Sequence, residues 1–218
     1  MLRCHVRGLR AAAIAEDTGL HRQRVVHALP RVRARRQAQV PPVFHGTVEG
    51  DEPSVGSRWR NWRYPRRVRG STRGRGPRKT PVVGILCRGG QVWAPVVPDL
   101  AITTRVPLIG RRVRRGSVVG TDAVRLYPGI AAKGYVPRLG HPDQGEFRSR
   151  QGVPSNGVDG FWGDFTRRVA AQGGIRPDRL PLSVAEYGWR DNHRRLSVPQ
   201  QVTVRMNILR KNYRKSGG

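Results

Sequence analysis

The chain has only 14 acidic residues against 42 lysines and arginines, so where the acids fall carries information. Glu49, Asp51 and Glu52 fall together at the end of a short strand-like run, and Asp122 closes a second, Ser117-Val-Val-Gly-Thr-Asp122. On a strand, Glu49 and Asp51 point to one face and Glu52 to the other. Two carboxylates at neighbouring strand ends can share divalent metal. A pair of ions roughly 4 Å apart activates a nucleophile and steadies the leaving oxygen of a phosphodiester. Mg²⁺, or Mn²⁺ in its place, suits such a site because it takes carboxylate and phosphate oxygens and keeps several waters. A plainer reading stands beside this one, in which Asp51 and Asp122 cap turns or pair with arginine. Spacing alone does not choose between them.

Other residue groups point less sharply. Ser155 or Asn156 can cap a helix running to about residue 172, with Asp159 in its first turn, where the helix dipole favours negative charge. His141 with Asp143 can assist proton transfer or simply order the loop before that helix. Trp59, Trp62 and Tyr64 lie among arginines, where they can stack on bases or pack a hairpin. Phe161 and Trp162, on an otherwise polar helix, read as core anchors. The sequence holds no phosphate-cradling glycine loop of the P-loop kind, and no Ser or Cys nucleophile beside a plausible His base.

A sheet is needed to bring these carboxylates together. Residues 43–50 read as a strand ending in acids. Residues 81–88 and 91–97 are β-rich runs joined by Gly89-Gly90, a hairpin signal. Residues 100–113 read as a helix interrupted by Pro107, 117–120 as a strand, 123–133 as a helix and 134–137 as a last strand. Helices follow, the final one over 177–192. Hairpin strands followed by alternating helix and strand make an α/β layout.

Ahead of the sheet, residues 6–36 read as helices. Ala15, Gly19 and Val25 have helix-turn-helix spacing: a small residue where helices touch, a glycine in the turn and a branched apolar residue in the second helix. That second helix, about 21–29, would present His21, Arg22, Arg24 and His27 outward, the right chemistry for a major groove. A plain helical hairpin with a basic face fits the same residues. Pro41-Pro42 closes the segment as a stiff linker, and 58–79 reads as an Arg/Gly-rich hairpin tip or arm.

Composition sets the class. Formal net charge is +28 and hydrophobic residues, glycine not counted, make up 37%. A modest core with solvated basic segments follows. A field of this sign attracts polyanions and releases their counterions on binding, so nucleic acid is the expected partner. An arginine-biased genome or a ribosome-like structural protein would show the same excess. Cys4 and Cys87 make neither a disulfide framework nor a Cys-x-x-Cys metal site. No run approaches the roughly 18 apolar residues of a membrane span, and the first ten residues lack a secretory apolar core. The expectation is a cytoplasmic, nucleoid-associated protein with no membrane and no small-molecule substrate.

The motifs also carry a family resemblance. Val48-Glu-Gly-Asp-Glu52 followed by Val55-Gly56 resembles the V-E-x-D-E-x-x-V-G opening of the ISXO-like insertion-sequence transposases. Lys79-Thr-Pro-Val-Val-Gly84 and Arg88-Gly-Gly-Gln-Val92 look like the family's central hairpin. Gly116-Ser-Val-Val-Gly-Thr-Asp122, with Tyr127, looks like its second-aspartate segment. Gly134-Tyr135, His141 and Glu146-Phe147 look like the stretch that follows. Asn156 to Trp162 resembles N-x-x-E-G-F-W, and Glu186 to Asn192 resembles the late E-x-x-x-R-x-N signature. Together the motifs run in the family's order over 43–195, and more weakly over the first 40 residues.

The resemblance implies an RNase H-like fold, a mixed sheet flanked by helices, over 43–195 with a basic insertion at 58–79. A helix-turn-helix-like segment over 1–40 would precede it and a basic tail over 196–218 would follow. It implies a DDE-type transposase that cuts element ends and transfers strands with two Mg²⁺ or Mn²⁺ ions, held by Asp51, Asp122 and a third position. That third position is placed at Asn156, which also reads as the helix cap, with Asp159 where the family usually has Glu. Arg22, Arg24, Arg58, Arg60, Arg63, Arg66, Arg67, Arg167 and Arg168 would hold double-stranded DNA, both element ends and target. Joining two ends in one event implies a homo-oligomer. Three departures matter. Asp159 is one methylene short, and Thr166 stands where a Lys is common, beside Arg167 and Arg168. No cysteine pairs exist for the zinc ribbon with which relatives often begin, so that ribbon is either truncated away or never belonged to this copy. The other expectation is therefore a DNA-binding remnant without catalysis.

Overall fold

The computed structural model describes residues 1–37, 43–55, 80–87, 90–139, 157–171 and 175–215. In chain order its elements are α1 (Leu2–Val6), α2 (Ala11–Thr18), α3 (Arg22–Gln37), β1 (Thr47–Asp51), β2 (Ser54–Val55), β3 (Thr80–Pro81), β4 (Gly84–Cys87), β5 (Gln91–Trp93), α4 (Ile102–Arg112), β6 (Val118–Thr121), α5 (Tyr127–Ala131), β7 (Val136–Leu139), α6 (Val158–Ala171), α7 (Leu180–Asn192) and α8 (Val198–Lys215). Short 3-10 turns, Val124–Leu126 and Pro177–Arg179, lead into α5 and α7. The chain divides into two compact units, one of Pro41–Val184 and one of Met1–Val40 with Ala185–Gly218. Residues 198–215, expected as part of a basic tail, form a helix of the second unit. No helix among the described residues is long and apolar enough to cross a membrane.

In the first unit the described strands form a five-stranded mixed sheet of order β5-β4-β1-β6-β7, plus the small pair β2-β3. β4 runs antiparallel to both β5 and β1, whereas β6 and β7 run parallel to β1. The sequence accounts for the change of direction. β4 and β5 turn through Gly90, whose φ of 102° suits only glycine and whose N–H bonds the Cys87 carbonyl. Parallel neighbours need a crossover, which α4 provides before β6 and α5 before β7. Pro107 sits inside α4 without ending it, its ring on the exposed side.

Alternation along the strands assigns the faces. Val48, Ile85 and Val119 point to one side and bury against Val106 and Ile109 of α4, with Leu126, Ile130 and Tyr135 closing the same core. The Tyr135 hydroxyl is buried but donates to the Val113 carbonyl at 2.9 Å, so the core accepts it. On the opposite side, α6 packs over β1 and β4. Phe161, Trp162 and Phe165 are all buried there, with Phe161 and Trp162 edge to face at 4.7 Å. Trp162 lies against Gly84, where a Cβ would come within 2.6 Å of its ring.

In the second unit, Cys4, Ile14, Val25 and Leu29 form a small core between α1, α2 and α3. Gly19 ends α2 with φ 66°, a left-handed turn that glycine adopts without strain. Glu186 is 2% exposed and is the hub of a buried ion cluster. It accepts from Arg190 Nε at 2.6 Å and meets His5 Nε2 at 3.2 Å, with Arg33 and Arg205 at 3.9 Å. Arg190 also donates to the backbone carbonyls of His5 and Val6. Arg205, 1% exposed, lies 4.1 Å from the Trp189 ring centroid. Burial, and secondarily the charge of Arg190, push its pKa down to about 9.

Candidate functional site

Asp51 and Asp122 end neighbouring strands. β1 and β6 are parallel and pair Glu49 with Gly120, and each aspartate stands two residues beyond that pair. Residues in register on parallel strands point to the same side. Strands lie about 4.8 Å apart, so the register brings two carboxylate positions a strand's width from each other. Asp51 lies on the face that α6 covers, because it pairs across β4 with Gly84, the residue under Trp162.

Local chemistry fixes each carboxylate differently. Asp51 is partly buried, and its Oδ1 accepts the Glu52 backbone N–H at 2.8 Å. Glu52 turns to the other face and meets Arg105 of α4 at 2.7 Å, with both side chains largely buried. That ion pair, 53 positions apart in sequence, carried no local signal; it takes Glu52 out of the site and leaves Glu49 and Asp51 on the α6 side.

Asp122 is exposed just past β6. Buried Thr121 accepts two bonds beside it: Tyr127 Oη donates to its carbonyl at 3.1 Å, and Ala123 N–H to its Oγ1 at 3.1 Å. The Tyr127 phenol is pushed up from its ordinary value by burial first and by the charge of Asp122 second. The Asp122 turn is thus braced by its own following segment, with the carboxylate left outside.

Asp159 belongs to the first turn of α6, three residues before Trp162; its side chain is outside the described residues. Asn156 also falls outside them, as do His141, Asp143, Trp59, Trp62, Tyr64 and the arm arginines Arg58, Arg60, Arg63, Arg66 and Arg67. Arg167 and Arg168 are exposed on α6, where Arg167 pairs with Asp164. In the other unit, His21, Arg22, Arg24 and His27 are all exposed while Val25 is fully buried. Among the described residues no group of three or more His, Cys, Asp and Glu side chains could hold a metal ion. The sheet therefore supplies two carboxylate positions at adjacent strand ends, and α6 packs over β1 beside them.

Three comparisons bear on this arrangement. The sequence pattern of the ISXO2-like transposase domain matches residues 43–192. A transposase-like protein of Haemophilus influenzae, itself uncharacterized, is 25% identical over 121 residues, 55% of this chain and 94% of that protein. A chain of the simian T-cell lymphotropic virus intasome, solved in complex with the PP2A regulatory subunit B56 gamma, overlays with a TM-score of 0.39 at 11% identity, over 88% of this chain and 72% of the other.

Proposed function

The chain belongs to the ISXO2-like transposase domain family, and from that premise we propose that it is a metal-dependent DDE-type transposase acting on the ends of an insertion sequence. We read its sheet as RNase H-like. Three antiparallel strands continue into two parallel ones, with helices on both faces, which supports that reading.

The observation that carries the proposal is the register of Asp51 and Asp122 at adjacent parallel strand ends. Two hard, anionic oxygen donors on one face fit Mg²⁺ or Mn²⁺. Asp51 and Asp122 would hold the metal, with Asn156 or Asp159 as the third ligand. When bound, the metal would supply the charge that activates the attacking oxygen and stabilises the leaving one.

The chain's own residues do the rest. Water attacks the phosphodiester at the element end, and the 3′-oxygen departs. The 3′-hydroxyl so formed then attacks a phosphodiester of the target. Both steps are in-line displacements, so one site serves both, by positioning and electrostatics. Trp162 and Gly84 hold α6 over the carboxylate face. The α2–α3 pair, turning through Gly19 and presenting Arg22 and Arg24, reads as the helix-turn-helix that recognises the ends. Arg167, Arg168 and the 58–79 arm hold phosphates. Because two ends are joined in one event, the working form is a homo-oligomer on DNA, in the cytoplasm with the nucleoid.

A nicking assay on duplex DNA carrying the element's ends tests the reading, with Mg²⁺ or Mn²⁺. Cleavage abolished by Asp51→Asn or Asp122→Asn with DNA binding retained is the expected result. Binding without cleavage at any metal concentration would instead make the chain an inactive remnant, the reading that the short Asp159 and Thr166 favour.

A further inference from the structure

Parallel register places one arginine on the carboxylate face. β6 and β7 pair Gly120 with Arg138, and β1 and β6 pair Glu49 with Gly120. Glu49, Gly120 and Arg138 therefore form one row across the sheet, all directed to the same side. Asp51 stands on that side, two residues beyond Glu49, and Asp122 follows the strand end, two residues beyond Gly120. Resting on the transposase reading above, we propose that Arg138 is a substrate-positioning residue, binding a backbone phosphate of the DNA strand that enters the Asp51–Asp122 site.

Between the acids and the arginine the row is formed by Gly120, which is buried. Gly120 has no side chain, and a Cβ built there would meet only the Val48 carbonyl oxygen, at 3.7 Å. Two strand spacings, about 10 Å, separate β1 from β7. α6 packs over β1 and β4, on the far side of this strip. At the near edge Val136, two residues before Arg138 on the same face, is 54% exposed, and Arg138 itself is exposed.

Charge gives the strip its direction. A phosphate approaching Asp51 and Asp122 meets their negative charge and that of Glu49 in the same row. A guanidinium on the same face offsets that repulsion and donates in a fork matched to phosphate oxygens. Two arginines of this unit are engaged with acids, Arg105 with Glu52 and Arg167 with Asp164. Arg138 makes no ion pair with any described residue.

Methylphosphonate interference tests this with the full chain bound to a duplex carrying the element's ends. Asp51→Asn is present throughout, so that binding is read without cleavage. Phosphates near the cut are neutralised one at a time. The expected result is a severalfold loss of affinity at one phosphate beside the cut, absent in Arg138→Gln and kept in Arg138→Lys, with losses elsewhere unchanged. The slope of log affinity against log salt becomes shallower by about 0.9 in Arg138→Gln. An Arg138→Gln profile identical to its parent at every phosphate overturns the inference alone when the unsubstituted chain cleaves. Absence of cleavage by the unsubstituted chain overturns the transposase reading and this inference with it.

Discussion

Gly84 and Trp162 meet so closely that a Cβ on the glycine would stand 2.6 Å from Cζ2 of the indole. Gly84 is also the cross-strand partner of Asp51. The helix that carries Asp159 is therefore seated on the sheet at the level of the first carboxylate, and the absence of a side chain on β4 is what lets it sit there.

Gly84→Ala forces the indole to move within a buried aromatic group. We expect a loss of about 1–3 kcal/mol, the usual scale of overpacking, read from urea denaturation. Adding Trp162→Phe, which removes the clashing ring atoms, should recover part of it. A urea midpoint unchanged by Gly84→Ala would show that α6 does not rest on this strand.

Tyr127 reports on Asp122 through pH. Folding raises the phenol's pKa, so the native state favours the neutral form. The stability this contributes is fully present below the ordinary tyrosine value of about 10 and is lost as pH climbs through the higher native value. Tyr127→Phe should flatten that alkaline fall. Asp122→Asn should flatten it less, because burial is the larger cause and the aspartate charge the smaller. Denaturant titrations at stepped alkaline pH give the comparison, and a steeper fall in Asp122→Asn would refute the proximity of the two groups.

Glu186 and Arg205 should behave unequally although they belong to one buried cluster. Glu186→Ala leaves Arg190 and His5 without their shared acid, and breaking a buried pair in this way costs about 3–5 kcal/mol. Arg205→Met leaves Glu186 with Arg190 and His5, and removes a guanidinium whose charge burial already disfavours. Its cost should be clearly smaller. Equal shifts in the denaturation midpoints of the two variants would contradict this ranking.

Much of the sheet was legible because its signals are local. Glu49 and Asp51 close a strand, glycines mark the β4–β5 turn, and Asp122 follows a short apolar run. The helix over 102–112 was legible despite Pro107 because its buried positions, Val106 and Ile109, lie three apart. Residues 198–215 were harder to read. Their buried positions include Arg205 and Ile208, and an arginine at a core position hides the apolar stripe that marks a helix. Arg138 was missed for another reason. Its place beside the carboxylates depends on which strand pairs with which, and that register has no counterpart in the spacing of the sequence.

The bonds from Arg190 to the carbonyls of His5 and Val6 span 185 and 184 positions of the chain. Ribosomes add about 5–20 residues each second, so the first helix waits on the order of ten seconds or more for the partner that locks it. During that interval Ile14, Val25 and Leu29 have each other for cover but not the helices made last. Sheet strands emerge in between and can pair while the ends of the polypeptide are still apart. Synthesis order thus lets the unit built on the sheet mature before the helical unit is closed.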